Sequence, residues 1–313
     1  MQSIKRRHIG GGRLTTKDGF MAVYTIMGMT GNVGTTAATK LLADGSEVRA
    51  IVRREEKAAA WRARGAQVVV GNPYDGDALK TAFDGVDGIF IMTPTWFESE
   101  DMFAENTAAL KALNEALRAV SPTKVVLLSS IGAQHSHGTG AILKLHHMER
   151  AFADLPAVTS IRAGWFMENY AGLITSVQET GVLPSMLNPL DREVPMIATA
   201  DIGMTVAAVL QADWSGQRIV ELEGPRRYSP QDIAAALATV LGRPVTAQVQ
   251  PESQWLSTYR SWGLTSRSAD AMAEMLNGFN TGWIAFERPA TETTRGGTSL
   301  ETALAGMISK SIA

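Results

Sequence analysis

Apolar runs of four to six residues recur along the first half of the chain, at 22–27, 47–52, 67–70, 88–92, 124–129 and 158–162. Several are apolar throughout rather than alternating, as in strands covered on both faces. Between them apolar residues return at helical spacing, most clearly Leu110, Leu113, Leu117 and Val120. Strand–helix repetition of this kind predicts a parallel, doubly wound sheet with right-handed crossovers. Beyond Arg162 the rhythm changes. Residues 164–177 read as one helix, 182–195 as a proline-punctuated loop, 201–210 as a helix with Asp201 at its N-cap, and 218–222 as a further strand. Ser229-Pro230-Gln231-Asp232 opens another helix that Gly242 closes. Thr298-Ser299-Leu300-Glu301 fits a capping box ahead of a final helix.

The first apolar run leads straight into Gly28, Gly31 and Gly34, three glycines spaced three apart. The first allows a sharp turn off the strand. The second removes the side chain that would block a pyrophosphate, and the third lets the next helix pack closely on the strand. That helix carries an apolar stripe through Val33, Ala37 and Leu41. It begins with free N–H groups and a partial positive charge facing the phosphates. Such a strand–turn–helix unit binds a dinucleotide. Nineteen residues after Gly34, at the end of the second strand, stand Arg53 and Arg54. A carboxylate there would accept from a ribose 2′-hydroxyl, whereas a guanidinium fork pairs with a 2′-phosphate. Arg53 therefore favours NADP (as NADPH) over NAD, with Thr30 and Asn32 adding polar contacts nearby.

The chain has 313 residues, 45% hydrophobic and 19% charged, with a formal net charge of -2. That is enough for a large core, and too little positive charge for a nucleic-acid ligand. There are no cysteines, which excludes disulfides and thiolate chemistry and suits a reducing compartment. With no apolar run as long as a membrane span, a soluble cytoplasmic protein is expected. Residues 1–20 carry Lys5, Arg6, Arg7, Arg13 and Lys17 against Asp18 alone. They read as a disordered basic extension, with Met21 opening the folded part. The expected fold is α/β: a Rossmann-type doubly wound parallel sheet over 21–165 that binds NAD(P). A smaller mixed C-terminal substrate lobe, 166–313, returns a strand and helices to the core. That lobe holds Trp255, Tyr259, Trp262, Phe279, Trp283 and Phe286, most of them core and one or two suited to line a pocket for a flat ligand.

Taken together, GMTGNVG at 28–34, AIVR at 50–53, VGNPY at 70–74, LSSIG at 128–132, IRAGWFMENY at 161–170 and TRGGTSLETALAGM at 294–307 resemble the NmrA-like branch of the atypical short-chain dehydrogenases. The resemblance covers nearly all of 21–308. The family includes triphenylmethane reductases, NADPH-dependent quinone oxidoreductases and non-catalytic redox sensors. The resemblance implies that Gly28, Thr30, Gly31, Asn32, Val33 and Gly34 hold the pyrophosphate and that Arg53 meets the 2′-phosphate. It places Asn72 and Tyr74 near the adenine, Thr93 and Pro94 beside the nicotinamide ribose, and Ser129 and Ser130 at the end of the fifth strand. Trp96, Trp165, Phe166, Asn169 and Trp283 are the candidates for substrate contact, with Glu168 beside them.

Ordinary short-chain dehydrogenases use a helical Tyr-x-x-x-Lys to move the proton. The corresponding segment here, 140–153, has no tyrosine and offers Lys144, His146, His147 and Glu149. Spacing from Glu149 puts His146, or else Lys144, in the lysine-like place. A quinone or dye cation tolerates the missing donor, because its product is protonated by solvent or histidine or needs no proton. Four of the five histidines fall within 135–147. Adjacent His146 and His147 point about 100° apart, so a polar rim by the nicotinamide is favoured over a metal site, and no metal is expected. The chain reads as a reductase of a small aromatic or quinone-like substrate, with a homodimer possible and no nucleic-acid or membrane partner. A redox sensor acting through a protein partner and a tailoring enzyme on aromatic metabolites are the alternatives.

Overall fold

A computed structural model describes residues 15–16, 19–72, 74–289 and 291–312. Eight parallel strands form the central sheet: β1 (Val23–Ile26), β2 (Glu47–Val52), β3 (Gln67–Val70), β4 (Gly88–Ile91), β5 (Val125–Ser130), β6 (Ala157–Ala163), β7 (Gly216–Glu223) and β8 (Glu292–Arg295). Their spatial order is β3-β2-β1-β4-β5-β6-β7-β8. The order reverses between β1 and β4, and at such a switch point the carboxyl ends of an open sheet part to leave a crevice for a ligand.

The connecting helices are α1 (Asn32–Ala43), α2 (Glu55–Arg62), α3 (Gly76–Phe83), α4 (Met102–Val120) and α5 (Leu143–Ala151). One face of the sheet is buried with α1, through Ile26, Val33, Ala37, Ala38, Leu41 and Val126. The other is buried with α3 and α4, through Leu79, Phe83, Ile89, Leu113 and Leu117. Covering on both sides leaves β1, β4 and most of β5 buried at every position. Of residues 1–20, only Thr15–Thr16 and Gly19–Phe20 are described, as a pair of two-residue antiparallel strands. The expectation of disorder otherwise lies outside the described residues.

Beyond β6, α7 (Thr199–Gln211) returns to the sheet and buries Ile202, Val206 and Leu210 with the α1 face, whereas α6 (Ile174–Thr180), α8 (Pro230–Leu241), α9 (Trp255–Ser261), α10 (Ser266–Thr281) and α11 (Leu300–Ile312) form a second lobe. Its own core includes Ile174, Leu183, Met196, Tyr228, Trp255 and Phe279. Two small sheets lie there. One pairs Val182–Ser185 with Thr246–Val249, and the other orders Arg227–Tyr228, Val194–Ile197 and Trp165–Phe166. The α8 start is the expected capping box, Ser229 with Asp232 and Pro230 in the first turn, and Gly242 ends it at φ 65°.

Four expectations are corrected. Residues 164–177 are not one helix. Trp165 and Phe166 pair with Met196 and Ile197 as a short strand, followed by a 3-10 turn over Met167–Leu173 and then α6. The ends of 182–195 are strands rather than loop, because their partners are distant in sequence. Asp201 is not the cap of α7. Ala198 holds that position, and the Glu168 carboxylate accepts from the Thr199 N–H and hydroxyl instead. Asp201 accepts from the Thr298 N–H and hydroxyl, which takes Thr298 out of the expected capping box. At the start of α11 the Ser299 hydroxyl accepts from the Thr302 N–H at 3.2 Å.

Candidate active site

The turn after β1 is built for close approach. Gly28 sits at φ +67°, and a side chain there would meet the Met92 sulfur. A Cβ on Gly34 would lie 2.3 Å from the Gly28 carbonyl oxygen, so only hydrogen fits where α1 crosses the turn. Gly31 is different. The nearest atom to a Cβ there is the Gly28 oxygen, at 3.5 Å, and Gly28, Thr30, Gly31 and Asn32 are exposed while Val33 and Gly34 are buried. The α1 N-terminus has no side-chain cap, so its first N–H groups are left for a ligand. This is an open cradle with free backbone N–H groups, and its residues fit a dinucleotide.

Arg53, at the end of β2, is exposed, and among the described residues its side chain has no hydrogen bond or ion pair. It borders a cleft of about 530 Å³ along the carboxyl edge, with Asn72, Tyr74, Trp96, Phe97 and Trp262. The Asn72 side-chain Oδ1 accepts from the Tyr74 N–H. The rings of Tyr74 and Trp96 lie 5.7 Å apart. Burial pushes the Tyr74 phenol well above the ordinary tyrosine range, with the Arg53 cation opposing it. Trp96 has φ 50°, left-handed for a bulky residue, a strain that surrounding contacts must hold.

One such contact is Lys144, whose Nζ donates to the Thr95 carbonyl at 2.7 Å and lies 5.5 Å from the Trp96 ring centroid. Burial lowers the Lys144 pKa from its ordinary 10.5 to about 8. Because the folded value is depressed, burial costs stability below pH 8, where the lysine is charged both folded and unfolded. That cost fades as pH rises from about 8 to 10.5. Chemical denaturation across this window should show the parent gaining stability relative to Lys144→Met, whose profile should be flatter there.

His146 turns elsewhere. Its Nδ1 lies 2.8 Å from the Ala133 carbonyl, and a carbonyl only accepts, so Nδ1 carries the hydrogen. Two positions apart on one helix, Lys144 and His146 point roughly 160° from each other, one to the loop after β4 and the other to the turn after β5. Thr93 Oγ1, at the end of β4, is buried with no hydrogen-bond partner among the described residues. Ser130 donates to the Ile131 carbonyl, and Ser129 donates to Glu149.

The candidate substrate residues fall into two groups. Trp96 belongs to the Arg53 cleft. Trp165 packs edge-on against Phe279, and Trp283 stacks on His135 at 4.0 Å between centroids and donates to the His137 carbonyl. Burial lowers the pKa of His135. Phe166 is half-buried against the core, and Asn169 is exposed. Among the described residues no three His, Cys, Asp or Glu side chains are grouped to hold a metal ion.

A buried charge network went unread in the sequence. Arg162, 3% exposed inside β6, makes a two-point contact with Glu149 on α5 and a further one with Glu287. Glu221 on β7 accepts from the Glu287 N–H, and Glu223 pairs with Arg288. Together they fasten the segment after Trp283 to the ends of β6 and β7. A charge within an apolar strand, IRA at 161–163, was the available signal, since buried arginine demands partners. Arg162→Met should cost about 3–5 kcal/mol in urea unfolding by stranding Glu149, and Glu149→Leu added to it should recover part of the loss.

A parallel sheet in this order, with a glycine turn at its switch point, defines a Rossmann-type fold. The chain belongs to the NmrA-like family, whose sequence pattern matches residues 22–287. It is 26% identical over 252 residues to the NAD(P)H azoreductase of Xenophilus azovorans, covering 80% of this chain and 85% of that one. Quinone oxidoreductase 2 of Escherichia coli (strain K12) is 26% identical over 265 residues, 84% and 90% of the two chains. The solved NADPH complex of the Escherichia coli enzyme superposes with TM-score 0.75 at 24% identity, over 93% of this chain and 100% of that one. The NADP(H) complex of Citrobacter sp. triphenylmethane reductase gives 0.74 at 18%, over 91% and 100%. At these identities the superpositions speak to the fold.

Proposed function

We propose that the protein is an NADPH-dependent reductase that delivers hydride to a flat conjugated acceptor of the quinone class. The observation that carries this reading is the open Gly28–Gly31–Gly34 cradle beside Arg53, unpaired among the described residues, in a chain whose α5 has no tyrosine. Sequence relatives named for quinone and azo-compound reduction support the same direction.

When bound, the nicotinamide supplies a hydride, two electrons and one hydrogen nucleus. The chain's own residues hold the rest in place. The α1 N–H groups and the cradle receive the pyrophosphate, and Arg53 pairs with the 2′-phosphate. The Thr93 hydroxyl, buried and without a partner among the described residues, suits a ribose hydroxyl at the end of β4. Lys144 fixes the Thr95 carbonyl and with it the loop that bears Trp96. A quinone that accepts hydride becomes a hydroquinone anion and needs one proton. With Nδ1–H committed to Ala133, His146 has Nε2 left to take a proton from solvent and pass it on, and solvent can also supply it directly. An alcohol–ketone pair would need a stronger, positioned donor, and α5 lacks the tyrosine.

The test is NADPH consumption, followed by its absorbance, with a panel of quinones and cationic dyes. Protein-dependent oxidation with quinones is expected. Rates no higher than without protein for every acceptor would contradict the enzyme reading, and saturable NADPH binding without turnover would point to a sensor.

A further inference from the structure

The cleft beside Arg53 is closed by the second lobe, not by the sheet edge alone. Trp262, Gly263 and Leu264, in the turn between α9 and α10, also line it. Trp262 is 54% exposed, although its ring rests edge-on against Tyr259 with 5.6 Å between centroids. One side of the indole is thus held by protein and much of the rest is open. The turn is also tied to the loop after β4. The Thr265 N–H donates to the Phe97 carbonyl at 3.2 Å and the Thr265 hydroxyl to the Ser99 carbonyl at 3.0 Å. Arg267 pairs with Asp101 at 2.6 Å. A large apolar ring held in place at the mouth of a cleft, with Tyr74 and Trp96 also lining it, is a stacking platform for a flat base.

The charges around the cleft say which base. Arg53 stands at one part of the rim, and the carboxylates of Glu98 and Glu105 also line it. A 2′-phosphoadenosine has this polarity, an anionic phosphate on the ribose and a hydrogen-bond-donating amino group on the base. Among the described residues no part of the β5 or β6 ends lines the cleft, so it lies on the β2–β3–β4 side of the switch point. We propose that Trp262 stacks on the adenine of the dinucleotide, so that the second lobe completes the nucleotide site and carries affinity that the Rossmann core alone lacks. The proposal rests on the reading of the cradle and Arg53 as an NADP site, and adds a binding residue outside that core.

Stacking acts on the base and is blind to the 2′-phosphate, which gives the test a signature. Adenosine 2′,5′-bisphosphate and ADP, neither with a nicotinamide, are titrated by calorimetry into the full-length parent, Trp262→Ala and Trp262→Phe. Loss of the indole should weaken both ligands about tenfold and by the same factor, and phenylalanine should restore most of the affinity. Parental affinity of Trp262→Ala for both ligands would overturn the stacking role and leave the NADP reading intact. Loss confined to the bisphosphate would also overturn it, by making Trp262 a phosphate contact. A parent that binds neither ligand would overturn this proposal together with the NADP site. The exposed position of Trp262 spares the core, and unchanged thermal unfolding of Trp262→Ala checks that.

Discussion

Arg53→Glu is expected to weaken NADPH binding about a hundredfold while changing NADH binding little. A charged hydrogen bond to a phosphate contributes about 1.5–3 kcal/mol, and reversing the charge adds repulsion to the loss. The 2′-hydroxyl of NADH carries no charge, and a carboxylate can accept its hydrogen. Because Arg53 is exposed and has no ion-pair partner among the described residues, its replacement should leave the fold alone. Calorimetric titration of both dinucleotides into both proteins checks the ratio. An equal loss for the two would place the 2′-phosphate elsewhere.

The glycine turn should separate stability from binding. At Gly31 a methyl group meets nothing closer than 3.5 Å, and the backbone is extended at φ -97°, a conformation alanine adopts freely. Gly31→Ala should therefore unfold within about 0.5 kcal/mol of the parent. Its methyl projects from the mouth of the cradle, and NADPH affinity should fall more than tenfold. Gly34→Ala should do the reverse of sparing the fold. Its methyl would lie 2.3 Å from the Gly28 oxygen and 2.9 Å from the Met29 Cα, so backbone must move, at about 1–3 kcal/mol. Denaturant unfolding alongside NADPH titration distinguishes the two. Equal destabilisation by both would mean that the turn has no open side.

What could be read from the residues followed from local rules. Strands buried on both faces are apolar runs, and all six in the first half lie within two residues of their expected bounds. The glycine turn and the place of Arg53 just after β2 are legible because they depend only on neighbouring backbone and an adjacent strand end. The second lobe was harder, because its small strands pair over long separations, as Val182–Ser185 does with Thr246–Val249. Apart from its partner such a segment looks like loop. Asp201 resembled a cap since it opens an apolar stretch, yet Glu168 and Thr298 compete for those groups from elsewhere in the chain. The opposed directions of Lys144 and His146 follow from helix geometry and were open to inference. Trp262 is one of six aromatics in that lobe, of which one or two are expected at a pocket, and nothing local singles it out except its neighbour Gly263, at φ +89°, a sign of a turn that leaves the indole exposed.

The central claim is that a phosphorylated nicotinamide dinucleotide rests on the turn between β1 and α1. Isothermal calorimetry of the parent with NADPH and with NADH tests it most directly. Saturable binding of one NADPH per chain, clearly tighter than NADH, is the result predicted. No heat and no saturation with either dinucleotide would contradict the account.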